Sequence, residues 1–211
     1  MVSHIMRFFK EKIKEKKERS LGANLFVKAT RCNSPKCAFA RRPSRPGPHG
    51  QKRRRPVSEF GRQMQEKQKL RFTYGLTDKQ LMNLFGKNKN KVEIMKTLEH
   101  RLDRVVFLLG FALSPRVARQ YVSHGHILVD GRKVTVSSFR VRVKNEVSIR
   151  PESLKLKIFE DIHERLKSVS PPPWLKIRNI EEPMGECVGE FSPEGSQFSF
   201  NVNLVGEFYA R

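Results

Sequence analysis

Between Glu18 and Glu59 the chain has no carboxylate side chain, yet eleven Lys and Arg residues fall in that stretch. Such a segment cannot close into a compact domain by itself, because like charges gathered in a small volume repel one another. Its last part, Arg41 to Pro56, reads RRPSRPGPHGQKRRRP. Proline lacks a backbone donor and fixes φ, so four prolines with two glycines exclude a helix or a central strand. An extended, turn-containing arm is expected, with seven basic residues whose repulsion only an anion relieves. Arg41, Arg42, Arg45, His49, Lys52, Arg53, Arg54 and Arg55 are its candidate phosphate contacts. An ordinary basic linker is the alternative, but a linker has no need of cations this dense.

The wider charge balance supports this reading. In 211 residues, 43 Lys and Arg stand against 21 Asp and Glu, a formal net charge of +22. Residues 1–56 hold 17 basic and 3 acidic side chains, whereas residues 173–211 hold 3 and 6. A polyanionic partner is implied, nucleic acid first and an anionic membrane second. The longest apolar stretch, Val105 to Leu113, is interrupted by Gly110 and is too short to span a bilayer. Three cysteines cannot form a disulfide framework and suit a reducing compartment. Residues 1–19 alternate charge at helical spacing, which fits a solvated helix or one that forms on RNA. They lack the apolar run of a signal peptide, and Glu11, Glu15 and Glu18 argue against a transit peptide.

Ser58 is placed to cap a helix through EFGRQMQEKQKLRFTY, with Phe60, Met64 and Lys67 on one face and Gly75 as its stop. Lys67, Lys69 and Arg71 are candidate RNA contacts on its basic exterior, and Phe72 and Tyr74 could stack on bases. Thr77 and Gln80 have the form of a capping box ahead of Leu81, Leu84 and Phe85. The expected result is a helical hairpin.

Residues 92–153 carry the strongest pattern. Leu98, Leu102, Val105, Val106 and Leu109 make one apolar helical stripe closed by Gly110, with Arg104 off the stripe as a candidate RNA contact. Ser114-Pro115 opens a second helix with an N-cap followed by proline at the first helical position. Val117, Ala118, Tyr121 and Val122 form its buried face, and Arg116, Arg119 and Gln120 point away. After Gly125 the period changes: Ile127-Leu128-Val129 runs into the hairpin dipeptide Asp130-Gly131, with Val134 and Val136 alternating beyond it. Arg140 to Lys144 alternates again, which places three cations on one strand face, and Asn145-Glu146 turns into Val147-Ser148-Ile149. A helix-turn-helix laid against a small antiparallel sheet is expected. His124 and His126 flank its basic corner, and Arg140 leads the cationic strand. The immediate switch to a hairpin and the irregular arm favour recognition of RNA shape over reading of a DNA groove.

The stretch LEHRLDRVVFLLGFALSPRVARQYVSHGHILVDGRKV resembles the RNA-binding module of the bacterial-type S4 family of small-subunit ribosomal proteins. RCNSPKCAFARRPSRPGPHGQKRRRPVSEFGRQMQEKQKLRFTYG, PPPWL and the closing VGEFYAR resemble the same family outside the module, so the likeness covers residues ~31–211. The resemblance implies a primary binder of small-subunit rRNA that grips a multi-helix junction early and organises the subunit body. It also implies contact with a neighbouring small-subunit protein at an interface linked to decoding accuracy, and a place near the mRNA entrance. The implied fold is α+β: a basic extended N-terminal arm (1–56), a discontinuous, mostly helical first domain (57–96 and 170–211), and an inserted RNA-binding module with its following helix (97–169). A cytoplasmic ribosome is expected, with mitochondrial and plastid ribosomes as alternatives. No membrane, small-molecule substrate or cofactor is expected.

Other candidate chemistries read as weaker. Cys32 and Cys37 are half of a zinc site, and structural zinc needs four ligands. Many family members carry a second cysteine pair earlier; here the matching stretch, 14–17, has none, so no metal is expected. His49 and Cys187 are the nearest substitutes. Arg101-Leu102-Asp103 matches the motif at the catalytic aspartate of pseudouridine synthases that carry this module. Here it lies inside the apolar stripe, so Asp103 is expected to pair with a nearby Arg or to cap a polar contact, and no enzyme is expected. His100, His124, His126 and His163 have no triad spacing. Arg132 and Lys133 are hairpin-tip charges. Leu154, Ile158, Ile162 and Leu166 suggest one packing helix after the sheet, Pro171 to Pro173 a stiff crossing, and Trp174 its core anchor. Short strands and a small element around Phe208-Tyr209 are expected to close the chain. The rival functions are a free RNA chaperone and an RNA-modifying enzyme built on the same module.

Overall fold

The computed structural model describes residues 15–25, 35–50, 56–87, 90–193 and 198–210. Cys32 and Lys52 to Arg55 lie outside the described residues, as does most of the 1–19 segment. Helix α1 (Glu15–Leu21) packs on α2 (Ala38–Arg41) and on α3 (Glu59–Tyr74). The Lys17 ammonium stands 4.8 Å over the Phe72 ring, and Arg19 Nε donates to the Ser44 carbonyl at 3.0 Å. From Arg42 to Gly50 the arm forms neither helix nor strand, as its prolines require.

Ser58 caps α3 by accepting the Gly61 N–H, and Gly75, at φ 60°, supplies the left-handed stop. The buried face is Gln63, Lys67, Leu70 and Tyr74, not the Phe60–Met64 face expected from spacing. Phe60 is 49% exposed. The partner helix decides this. Helix α10 (Val202–Tyr209) lies along α3, with Gln63 bonded to Glu207 and the Lys67 ammonium 4.7 Å from the Phe208 ring. In α4 (Asp78–Lys87) the capping box closes reciprocally, Thr77 N–H to Gln80 Oε1 and Gln80 N–H to Thr77 Oγ1. Its Phe85 stacks on Tyr209 at 5.0 Å.

The single helix expected through Leu98 and Leu109 is two helices, α5 (Lys91–Glu99) and α6 (Leu102–Leu108). Arg101 between them is extended, at φ −66° and ψ 139°. Here bonds to a distant segment replace intrahelical ones. Leu102 N–H donates to Phe139 O at 2.8 Å, Asp103 N–H to Ser137 O at 3.3 Å, and Val141 N–H to His100 O at 2.8 Å. The apolar stripe survives the break, since Leu98, Leu102, Val105, Val106 and Leu109 are all buried. The same bonds use up the segment expected as a cationic strand. Only Arg140 makes a bridge, to Arg101, and Lys144 turns left-handed at φ 74°.

Helix α7 (Pro115–His124) starts on Ser114, whose Oγ accepts the Val117 N–H, and ends at Gly125, φ 76°. Strands β1 (Ile127–Val129) and β2 (Arg132–Lys133) meet through Asp130 and Gly131, both at positive φ as a type I′ turn requires. Strand β2 stops short of Val136, which is exposed. Asp130 Oδ1 accepts the Glu146 N–H at 2.8 Å, which ties the hairpin to β3 (Glu146–Ile149). Beyond β3, the one helix expected is three pieces: α8 (Pro151–Leu154), a 3₁₀ turn (Lys157–Phe159) and α9 (Ile162–Ser168). Phe159, not Ile158, is the buried anchor, 4.7 Å from the Tyr121 ring.

Strands β4 (Leu175–Asn179) and β5 (Met184–Cys187) complete an antiparallel sheet of order β2-β1-β3-β5-β4. Residues 175–187 thus extend the module's sheet along the edge that β3 offers, and the return onto α3 comes later, with α10. Trp174 is buried beside His100 at 4.9 Å and Phe191 at 6.2 Å. One apolar core runs from Leu70 and Tyr74 through the module to Phe200 and Val205, and the class is α+β as expected.

Candidate nucleic-acid interface

The cations anticipated from sequence divide into an inward and an outward set. Arg104 is turned inward: its Nε donates to Glu99 Oε2 at 3.1 Å, and its guanidinium lies 5.4 Å from the Tyr74 ring. Tyr74 closes the cluster by donating to Glu99 Oε1, and burial, then the Glu99 carboxylate, raises its pKa. Tyr74 is therefore core and does not stack on bases. Arg119, expected outward with Arg116, is also turned in. It donates to Gly75 O and to Ser137 Oγ, and sits 3.5 Å from Asp103 Oδ2. Burial lowers its pKa, opposed by Asp103. Asp103 holds Arg101 bidentately at 3.0 and 2.7 Å. The Arg-Leu-Asp motif is thus a buried ionic joint between α6, α7 and the end of α3.

On α3 the candidates are bound to carboxylates: Lys67 and Arg71 each reach Asp78 at 2.9 Å, and Lys69 reaches Glu66 at 2.8 Å. In the arm, Arg41, Arg42 and His49 are exposed and Arg45 is half-buried. Cys37 is buried with a free thiol.

The outward set gathers at one corner of the module. Arg116, Gln120 and His124 recur every four residues along α7, and all three are exposed. The chain then turns at Gly125 so tightly that a Cβ there would meet Lys133 Cε at 2.1 Å, so the Lys133 side chain lies across the turn. His126 is half-buried, with Nδ1 2.9 Å from Ser153 Oγ and its ring against Phe159. Burial lowers its pKa, and His124, Arg150 and Lys133 add to the shift. Arg140, the remaining outward cation, is exposed at the bridge to Arg101, near His100 and Glu190 and not at the α7 exit. Lys133, read from sequence as a hairpin-tip charge, joins this corner, and Arg150, half-buried and paired with Glu152, borders it with no local cue in the sequence.

A helix, its left-handed exit and a hairpin that share one cationic corner define an RNA-binding module. Comparison agrees: the S4 domain family model matches residues 100–147, and that of the ribosomal protein S4/S9 N-terminal domain matches residues 10–103. The "Small ribosomal subunit protein uS4" of Thermus thermophilus is 42% identical over 198 residues, covering 92% of this chain and 94% of the relative. Proteins of the same name from Halothermothrix orenii and Gloeobacter violaceus are each 38% identical at the same coverage. The chain belongs to the uS4 family of small-ribosomal-subunit proteins. Its role is accordingly structural and not enzymatic.

Proposed function

We propose that the chain holds small-subunit rRNA chiefly through the cationic corner of Arg116, Gln120, His124, His126, Lys133 and Arg150, with Arg140 and the arm at 41–55 as further phosphate contacts. The observation that carries this is the row of exposed Arg116, Gln120 and His124 along α7, which ends where the Lys133 side chain lies across the Gly125 turn. Such a concentration is costly for a free protein and is offset by phosphate. Arg104 and Arg119 act behind this surface, holding it in place.

The chain acts early, gripping an rRNA junction and organising the subunit body, as the family resemblance implies. The module is inserted in a discontinuous helical domain, a division supported by the packing of α10 on α3. The acidic balance of residues 173–211 suits the basic surface of a neighbouring ribosomal protein, through which the chain contributes to decoding accuracy. The chain lies near the mRNA entrance, as the family resemblance implies. The ribosome in question is cytoplasmic, or else that of a mitochondrion or plastid. Among the described residues no helix is long and apolar enough to cross a membrane. Gradient fractionation of cell extract tests the reading. Stoichiometric co-sedimentation with small subunits is the expected result, and a free pool with none on subunits would reject it.

A further inference from the structure

His100 uses both ring nitrogens inside the core, and each bond has only one possible direction. Val141 O, 3.0 Å from Nδ1, can only accept, so Nδ1 carries the proton. The Phe191 N–H, 3.2 Å from Nε2, can only donate, so Nε2 is bare. The His100 carbonyl also accepts the Val141 N–H at 2.8 Å, and the ring lies against Trp174. One neutral imidazole therefore joins three distant stretches: the α5–α6 junction, the segment that carries Arg140, and the return toward α10 at Phe191.

We infer that His100 is a proton-sensitive clamp: as the neutral Nδ1–H tautomer it pins the return segment at Phe191 to the module, and protonation at Nε2 releases it. A protonated Nε2 presents a donor to a donor, so the Phe191 N–H loses its partner while buried. The charged groups around the ring are otherwise engaged. Glu99, on its own helix, is bonded to Tyr74 and Arg104. Arg101 is closed on Asp103. Glu190, on the return, is paired with Lys96 at 2.7 Å, and Arg140 approaches from the bridged segment. Burial lowers the His100 pKa; the Val141 bond opposes this and Arg140 adds to it. The folded state thus resists protonation more than the unfolded chain does. The clamp's contribution is complete above the unfolded histidine pKa of ~6.5 and is lost as pH falls through the lower folded value.

Amide hydrogen exchange on the full chain tests this directly. The protection factor of the Phe191 amide should fall about tenfold or more between about pH 7.5 and about pH 4.5, ahead of core amides such as that of Leu70. In His100→Gln, whose amide oxygen can accept but does not titrate, Phe191 protection should stay flat over the same range. A pH-invariant wild type, or an equal fall in His100→Gln, overturns the inference. Imidazole 15N shifts of the wild type decide independently of whether the variant folds. A protonated Nδ1 with a bare Nε2 at neutral pH is expected, and the opposite tautomer overturns the clamp.

Discussion

Asp103 is the residue on which the structural and the enzymatic readings of this chain part most sharply. Its side chain is 8% exposed, holds Arg101 through two bonds at 3.0 and 2.7 Å, and stands 3.5 Å from Arg119 Nε. Asp103→Asn keeps the shape but removes the carboxylate that faces both guanidinium groups. Breaking a buried pair by removing one partner costs about 3–5 kcal/mol, because the remaining charge is left uncompensated. For a chain of this length that corresponds to a fall in Tm of roughly 6–20 °C, at ~2–4 °C per kcal/mol. Urea titration and thermal melting followed by circular dichroism measure it, with Asp161→Asn as a control for an exposed aspartate. A loss below about 1 kcal/mol would refute the ionic joint. Unchanged stability with loss of an RNA-modifying activity would restore the catalytic reading.

Three further outcomes follow from the same geometry. Combined Arg116→Ala, Lys133→Ala and Arg140→Ala should leave stability within about 0.5 kcal/mol per site and weaken rRNA binding by ~1 kcal/mol or more per lost charge-assisted contact, read by filter binding. Neutralising the seven basic residues of 41–55 should flatten the slope of log K against log salt by several units, at a little under one per phosphate released; an unchanged slope would make the arm a linker. Elemental analysis should find well under one zinc per chain, with Tm unmoved by a chelator, whereas one tightly held zinc lost with Cys32→Ser would require further ligands at His49 or Cys187.

Features governed by neighbours in sequence were legible from the residues alone. The Ser58 and Ser114 caps, the Thr77–Gln80 box, the stops at Gly75 and Gly125 and the Asp130-Gly131 turn all depend on residues within a few positions of one another. Features governed by distant partners were not. The break at Arg101 exists because Ser137, Phe139 and Val141 offer bonds from nearly forty residues away, and no periodicity records that. The face of α3 follows from α10, more than a hundred residues later. The candidate site divides the same way. Arg116 and Gln120 are read correctly as pointing away from the core because spacing suffices, and the fold adds His124 to their row. Arg119 and Arg104 are misplaced outward because their carboxylates, Asp103 and Glu99, are found only in the fold. Helical position told which way a side chain leaves the backbone, but not that a long guanidinium would turn back to a buried acid.

Crosslinking the native protein to RNA in cells, with sequencing of the attached fragments and mapping of the modified peptides, tests the central claim most directly. The expected fragments come from small-subunit rRNA, and the crosslinked peptides are those of α7 through β2 and of the 41–55 arm. Fragments spread over transfer and messenger RNA, or crosslinks confined to the acidic C-terminal stretch of residues 173–211, would contradict it.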